Sequence, residues 1–206
     1  MEKLKRWAII LSLITIVYNL FEGGVSVFFG TKDQTLALLG FGVDSFVEVI
    51  SGIGVLHMLL RINANETLLR NKFEKLALRI TGFGFYLLTL GLIVGSIINI
   101  IEKTKPNTTV PGLIISIISL ITMYWLMKSK LSVGEKLHSD AIIADANCTK
   151  TCFYLSLILL AASLLYELTG IGYVDILGSL GIAYFSFTEG RESFEKANSD
   201  KVECCD

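Results

Sequence analysis

The chain has 206 residues, of which 52% are hydrophobic and 18% are charged, and its mean hydropathy is +0.63. These values exclude an ordinary water-soluble domain of this length and favour an integral membrane protein, with the lipid bilayer as its solvent. The formal net charge of -1 gives no sign of a surface for nucleic acid.

Six windows of mostly apolar residues are long enough to cross a bilayer, which takes about 20 residues of helix. In chain order they are residues 7–30, 36–60, 80–101, 111–127, 142–166 and 171–189. The first window is too long for the apolar core of a secretory signal, so we expect it to be retained. The sequence therefore predicts an all-α integral membrane protein with six transmembrane helices. Residues 1–190 would form the transmembrane domain and residues 191–206 a short cytoplasmic tail.

The basic residues are distributed unevenly between the two predicted sides. Fourteen of the 18 Lys and Arg residues lie at the N-terminus, between windows two and three, between windows four and five, or after window six. Lys32, Lys103 and Lys105 fall on the other side, and Lys150 lies within the fifth window. The positive-inside rule then predicts that both termini are cytoplasmic. A bacterial plasma membrane is the simplest host for a short chain without a targeting segment.

Two acids lie inside the second apolar window. Asp44 and Glu48 are four residues apart and therefore share one face of a helix. An ionisable side chain within a bilayer costs at least ~2.5 kcal/mol on insertion scales, so a pair at this depth needs a local reason. A solvated helix face would explain such a pair in a soluble protein, but not in an apolar span. We interpret the pair as ligands of a divalent metal ion.

Cys148 and Cys152 repeat the four-residue spacing in the fifth window. A pair on one helix does not suit an ordinary structural disulfide, so the thiols are either metal ligands or simply small buried apolar groups. Asp145, three residues before Cys148, is an alternative ligand, an entrance residue or an interfacial acid. Cys204 and Cys205 in the tail either collect soft metal ions or are incidental.

Glu22 is a further acid at membrane depth, in the first window. It would either relay protons or supplement the metal site. A hydrogen bond to Asn99 or a neutral, protonated carboxyl group would equally explain an acid at that depth. Lys150 points away from the face of the two cysteines, and we expect its side chain to reach the membrane surface or to pair with an acid.

Three segments resemble the transmembrane module of the cation diffusion facilitator, or cation efflux, family. Residues 38–48 are similar to that family's second-helix pattern, in which an acid is followed by Ser, two residues and a second acid. Residues 139–152 are similar to the fifth-helix pattern, which reads Ala-Asp-Ala, one residue, His, three residues and Asp. Residues 175–182 resemble the opening of the sixth helix. The resemblance covers most of the chain.

The chain departs from the family pattern at the ligand positions. Cys148 and Cys152 stand where the family usually has His and Asp, and Glu48 stands where it usually has a second Asp. The family also often ends in a cytoplasmic metal-binding domain, whereas this sequence stops 17 residues after Glu189. We therefore expect the transmembrane module alone.

Two carboxylates facing two thiolates would form an oxygen and sulfur tetrahedron suited to zinc or cadmium rather than to magnesium or manganese. A free thiol has a pKa of about 8.5 and must lose its proton to bind metal, so metal binding would release protons. The resemblance implies a homodimeric efflux transporter that binds the metal between the second and fifth helices. It would exchange metal for protons by alternating access to the two sides of the membrane. It implies no prosthetic group and no enzymatic reaction.

Two other functions are compatible with the residues. The first is a membrane metal sensor or partner subunit, which would bind metal without transporting it. The second is a membrane thiol redox protein that uses Cys148 and Cys152. The redox interpretation is weaker because the sequence has neither a CxxC pair nor an evident quinone or flavin motif. It also leaves Asp44 and Glu48 unexplained.

Overall fold

The computed structural model describes residues 2–61, 67–137 and 140–198. The described residues form six α-helices and no strand. In chain order the helices are α1 (Glu2–Lys32), α2 (Leu36–Arg61), α3 (Thr67–Glu102), α4 (Val110–Leu137), α5 (Asp140–Thr169) and α6 (Tyr173–Asn198).

The helices agree with the six predicted windows but are longer. Within the described residues, five helices contain a stretch long and apolar enough to cross a bilayer, and the exception is α6. The sixth helix is less apolar because it carries several charged residues after Glu189. It nevertheless packs against α2, α3 and α5 as part of the bundle. The all-α membrane fold is therefore confirmed, and the cytoplasmic location of both termini stays a prediction.

The distribution of side chains is the reverse of that in a soluble protein. Large apolar side chains cover the outside, and Phe21, Ile101 and Leu168 are each at least 70% exposed. The hydroxyls of Ser119 and Ser156, by contrast, are buried between α4 and α5, where their oxygens lie 2.8 Å apart. Such an apolar exterior with a polar interior fits a bundle surrounded by lipid.

Helices α1 and α2 approach each other closely because glycines lie where they cross. A Cβ atom on Gly30 would lie 2.6 Å from the backbone nitrogen of Leu39, and one on Gly42 would lie 2.8 Å from the backbone nitrogen of Val27. No real Cβ atom tolerates such distances, so these positions require glycine. The close crossing holds the acids of α2 against the polar face of α1.

One end of the bundle, called the outer end after its predicted orientation, carries three short loops. They comprise residues 33–35, 103–109 and 170–172. Two of these loops are joined directly, because the backbone nitrogen of Asn107 donates a hydrogen bond of 2.9 Å to the carbonyl oxygen of Asp33. The outer end is thus tied together across the bundle.

Two carboxylates cap helix N-termini at this end. Asp175 on α6 accepts hydrogen bonds from the backbone nitrogens of Leu36, at 2.8 Å, and Ala37, at 3.3 Å. Glu167 on α5 accepts one of 2.6 Å from the backbone nitrogen of Thr109, just before α4. Each acid accepts hydrogen bonds from amide groups that the first turn of a helix leaves without partners. Its negative charge also interacts favourably with the positive end of the helix dipole.

An apolar core fills the outer half of the bundle between these caps and Asp44. Leu38 and Phe41 precede Asp44 by about two turns and one turn of α2, and both are almost fully buried. They pack in a cluster of buried side chains from four helices: Ala37, Leu38, Phe41, Leu88, Leu92, Leu155, Leu159, Ile182 and Ala183. This core separates Asp44 from the outer end.

One lysine lies elsewhere than the sequence predicted. The predicted windows place Lys130 in a cytoplasmic connection, but α4 continues to Leu137 and Lys130 is buried in it, with 1% of its surface exposed. Lys150 is exposed on the surface of α5. The predicted domain border at residue 190 falls inside α6, which ends at Asn198, and that division stays a prediction.

We predict that Gly42→Ala destabilises the bundle while Gly91→Ala does not. The added methyl at Gly42 meets Ser26 and Val27 at 2.8 Å, and overpacking of this kind costs about 1–3 kcal/mol. Nothing lies within 4 Å of a Cβ atom on Gly91, so alanine there is neutral or adds up to about 1 kcal/mol of helix stability. Thermal unfolding of the two purified variants in detergent, followed by circular dichroism, measures the difference. Equal melting temperatures would contradict the close crossing of α1 and α2.

Candidate metal centre

A cavity of about 60 Å³ lies beyond the apolar core, in the half of the bundle away from the outer end. By this measure a water needs roughly 10–15 Å³, so the cavity has room for a few waters or for a partly hydrated cation. Five helices contribute to its walls, with these polar or ionisable side chains: Thr15, Asn19, Asp44, Glu48, Ser51, Thr81, Thr149, Thr151, Cys152, Glu189 and Ser193.

Three of the predicted ligands line this cavity together. Asp44 and Glu48 both face it from α2, as their four-residue spacing predicts, and Cys152 faces it from α5. Asp44 and Cys152 are buried, and Glu48 is half-buried. The structure thus brings the acids of the second predicted window to a thiol of the fifth.

Glu48 is held by partners from two other helices. Asn19 on α1 donates a hydrogen bond of 2.9 Å from Nδ2 to Glu48 Oε2. The Cys152 thiol on α5 donates to the other oxygen, Glu48 Oε1. Cys152 also packs in an apolar cluster with Leu11, Met123 and Leu126, which shields it on the side of α1 and α4. The carboxylate therefore has a fixed position between α1, α2 and α5.

Several buried oxygens in the cavity wall have no hydrogen-bond partner among the described residues. They are Asn19 Oδ1, Asp44 Oδ1 and Thr81 Oγ1, from α1, α2 and α3 respectively. A buried polar group without a partner costs roughly 1–3 kcal/mol, so such groups usually meet water, an ion or a ligand. Carboxylate, amide and hydroxyl oxygens are all donors to a cation. These three oxygens are therefore candidate donors to a cation.

The other predicted ligands cannot be compared with the structure. Cys148 is one turn before Cys152 in α5, but the side chains of Cys148 and Asp145 lie outside the described residues, as do Cys204 and Cys205 in the tail. Among the side chains that are described, no three His, Cys, Asp or Glu groups form a metal cluster. The full set of four ligands stays a prediction.

Glu189 lines the same cavity, and its part in the site was not foreseen from the sequence. Thr151 on α5 donates a hydrogen bond of 2.9 Å from Oγ1 to Glu189 Oε1 on α6. A signal for this acid was present, because Glu189 follows Asp175 by 14 residues, which is about four helical turns. Asp175 faces the start of α2, so Glu189 faces α2 further along the same side of α6.

Lys130 is the second residue near the site that was missed. It donates a hydrogen bond of 3.0 Å from Nζ to Thr149 Oγ1, and it is close enough to Glu48 to act on it electrostatically. Met123, Leu126 and Lys130 are spaced like one face of a helix, and this periodicity continues beyond the predicted end of the fourth window. A search for periodicity rather than hydropathy would have found the lysine.

Glu22 is buried on α1 but does not line the cavity. Tyr18 donates a hydrogen bond of 2.9 Å to Glu22 Oε1, and Ser45, the neighbour of Asp44, donates one of 3.3 Å to Glu22 Oε2. The suggested hydrogen bond to Asn99 is wrong, because Asn99 lines a different pocket near the outer end. Ser45 is the link from Glu22 to α2, and a role in proton relay stays a prediction.

A comparison with protein-family models gives one result across most of the chain. A model described as the cation efflux transmembrane domain matches residues 8–200. The matched range includes Asp44, Glu48, Cys152 and Glu189. No curated protein matches the chain.

We predict that cadmium protects Cys152 from alkylation. A thiolate bound to a metal is no longer available as a nucleophile, so Cd²⁺ should slow the reaction of Cys152 with N-ethylmaleimide. Site-resolved mass spectrometry of the wild-type protein measures the rate at each cysteine. Mg²⁺ is the matched control, because it prefers oxygen ligands and keeps its waters.

The protection should weaken in Asp44→Asn, which removes a candidate ligand but leaves the thiol in place. Equal alkylation rates with and without Cd²⁺, or full protection in Asp44→Asn, would contradict a joint site of the two residues.

Proposed function

Since the chain belongs to the cation efflux family and is a multi-pass membrane transporter of cations, we propose that it exports a divalent cation, zinc or cadmium, in exchange for protons. The observation that carries the proposal is the cavity in which two carboxylates of α2 meet a thiol of α5. Members of the family are transporters rather than catalysts, and we propose that this chain likewise has no enzymatic activity and no prosthetic group.

The chemistry of the donors supports zinc or cadmium as the substrate. Asp44 and Glu48 offer oxygen, and Cys152 offers sulfur, which favours soft or borderline ions over magnesium or manganese. Cys148 would supply a fourth donor from the next turn of α5. Asp44 Oδ1, which has no hydrogen-bond partner in the described part of the chain, is ready to accept a cation without breaking an existing bond.

The hydrogen bond between Cys152 and Glu48 supports an exchange of metal for protons. The thiol proton lies between the two side chains that would both bind the ion. A metal needs the thiolate, so this proton must leave when the metal binds. When protons return, they neutralise the same donors and the metal loses its ligands. Metal and protons therefore compete for one site, which is what coupled exchange in opposite directions requires.

The difference between the two ends of the bundle supports alternating access. The outer end is closed by capped helices, joined loops and the apolar core around Phe41. The cavity lies on the other side of that core and reaches Leu78 and Ser193, near the predicted cytoplasmic side. Metal would enter from the cytoplasm in this state and would leave outward once the core around Phe41 has opened.

We extend the proposal to a homodimer in a bacterial plasma membrane with both termini in the cytoplasm. The family resemblance supports the homodimer, and the excess of basic residues in the predicted cytoplasmic segments supports the orientation. Crosslinking in native membranes tests the first part, and labelling of introduced cysteines from each side of the membrane tests the second.

We predict that Asp44→Ala abolishes metal transport while the protein remains folded in the membrane. The variant loses a candidate ligand that lines the cavity and whose Oδ1 has no hydrogen-bond partner among the described residues. Because Asp44, unlike Asp175, caps no helix in the described structure, its removal should leave the fold intact. Flux of zinc and cadmium into proteoliposomes measures transport, and gel filtration in detergent reports on folding. Glu102→Ala, at an exposed acid in the last turn of α3, is the control and should transport normally.

Wild-type flux in Asp44→Ala would rule out the proposed site. Metal binding without flux in the wild-type protein would instead favour a sensor or partner subunit.

We predict that the double variant Cys148→His with Cys152→Asp still transports but prefers cadmium less strongly relative to zinc. Replacing two thiolates by an imidazole and a carboxylate keeps the number of ligands while hardening the donor set. Competition between the two ions is measured in the same vesicles for both proteins. An active double variant with an unchanged cadmium to zinc ratio would mean that the cysteines do not contact the ion, and Asp145 would become the leading ligand on α5.

A further inference from the structure

Glu189 lies farther from the outer end of the bundle, and so nearer to the predicted cytoplasmic end, than the acids of α2. The contact between Asp175 and Leu36 sets α6 and α2 level at the outer end, and both helices run away from it. At 1.5 Å per residue, Asp44 is about 12 Å beyond this level, Glu48 about 18 Å and Glu189 about 21 Å. A cation that enters from the cytoplasmic end of the cavity therefore reaches Glu189 before it reaches Asp44.

We propose that Glu189 is a further cation ligand, at which a divalent cation binds in transit before it reaches Asp44 and Glu48. The inference rests on the proposed function and adds a residue of α6 to a site built from α2 and α5. Glu189 would provide a first binding position, called the staging position, at the predicted cytoplasmic end of the same cavity. The species bound there is a hydrated divalent cation, held by oxygen donors.

The surroundings of Glu189 support this assignment. Thr81 on α3 lines the same cavity with only 3% of its surface exposed, and its Oγ1 has no hydrogen-bond partner among the residues described. Ser193 lines the cavity one turn beyond Glu189, and Thr151 holds Glu189 Oε1 from α5. The Glu189 carboxylate with the hydroxyls of Thr81 and Ser193 in the same cavity is a set of hard oxygen donors, which bind zinc or cadmium less strongly than thiolates do.

Weak binding at this point suits a position that the ion must leave again. The carboxylate raises the local concentration of cations at the cytoplasmic entrance of the cavity. The stronger donors of α2 and α5 then draw the ion on towards Asp44. Loss of Glu189 should therefore reduce capture of the ion at low concentration. It should not reduce the rate at saturation, which depends on Asp44, Glu48 and the exchange of protons.

The test is the zinc dependence of transport by Glu189→Gln in inside-out membrane vesicles, where the predicted cytoplasmic side faces the added metal. We expect KM for zinc to rise about tenfold, the lower part of the range for losing a group beside a metal site, with the maximal rate within about twofold of wild type. Glu195→Gln is the matched control on the same helix, because Glu195 is exposed and pairs with Arg191. It should leave KM unchanged.

Two further variants separate binding from a structural role. Glu189→Asp keeps the carboxylate and should restore most of the zinc affinity, and it also serves if Glu189→Gln fails to fold. Thr151→Val removes the hydrogen bond between α5 and α6 but keeps the carboxylate. If Glu189 merely joins the two helices, Thr151→Val should raise KM as much as Glu189→Gln does, and that result would overturn the inference.

Asp44→Asn separates this inference from the proposed function. If Asp44→Asn loses transport but Glu189→Gln keeps the wild-type KM, the staging position is wrong and the main site stands. If Asp44→Asn transports at the wild-type rate, the proposed function of the cavity is wrong, whatever Glu189→Gln does.

Discussion

The two oxygens of Glu48 connect the helices on which the candidate site depends. One accepts a hydrogen bond from Asn19 on α1 and the other from Cys152 on α5, so a single carboxylate joins three helices in the interior. A buried carboxylate is costly in a bilayer, and these bonds offset part of that cost. The close crossing of α1 and α2 at Gly42 makes the bond to Asn19 possible, because any larger residue would push the two helices apart.

Three buried acids among the described residues differ in whether their oxygens have hydrogen-bond partners. Asp175 has backbone donors for both oxygens, and Glu22 has a hydroxyl donor for each of its own. Asp44, in contrast, is buried with one oxygen unpartnered in the described structure, facing a cavity. Carboxylates with hydrogen-bond partners stabilise a particular packing of helices. A buried carboxylate without them is stabilised when it binds a cation or a proton. This difference supports the proposed role of Asp44 more strongly than its depth in the membrane does.

Lys130 adds a positive charge to a region rich in acids. Its ammonium group is buried beside Thr149 and acts electrostatically on Glu48. Both oxygens of Glu48 accept hydrogen bonds, whereas Asp44 Oδ1 has no hydrogen-bond partner among the described residues. The cavity thus combines a carboxylate fixed by hydrogen bonds, with a lysine nearby, and a carboxylate that is open to the ion in the proposed function.

The sequence by itself determined the features that depend on neighbours within a few turns of the chain. Hydropathy located the helices, helical periodicity put Asp44 and Glu48 on one face, and the pattern of residues identified the family. Only the tertiary structure decided which faces meet. Glu48 finds its partners 29 and 104 residues away. Glu189 lines the cavity and Lys130 lies beside it because of the register between whole helices. Hydropathy also ends a helix where charge begins, so it could not show that α4 carries Lys130 into the interior. Contacts of this kind follow from how six helices pack together, which no single segment encodes.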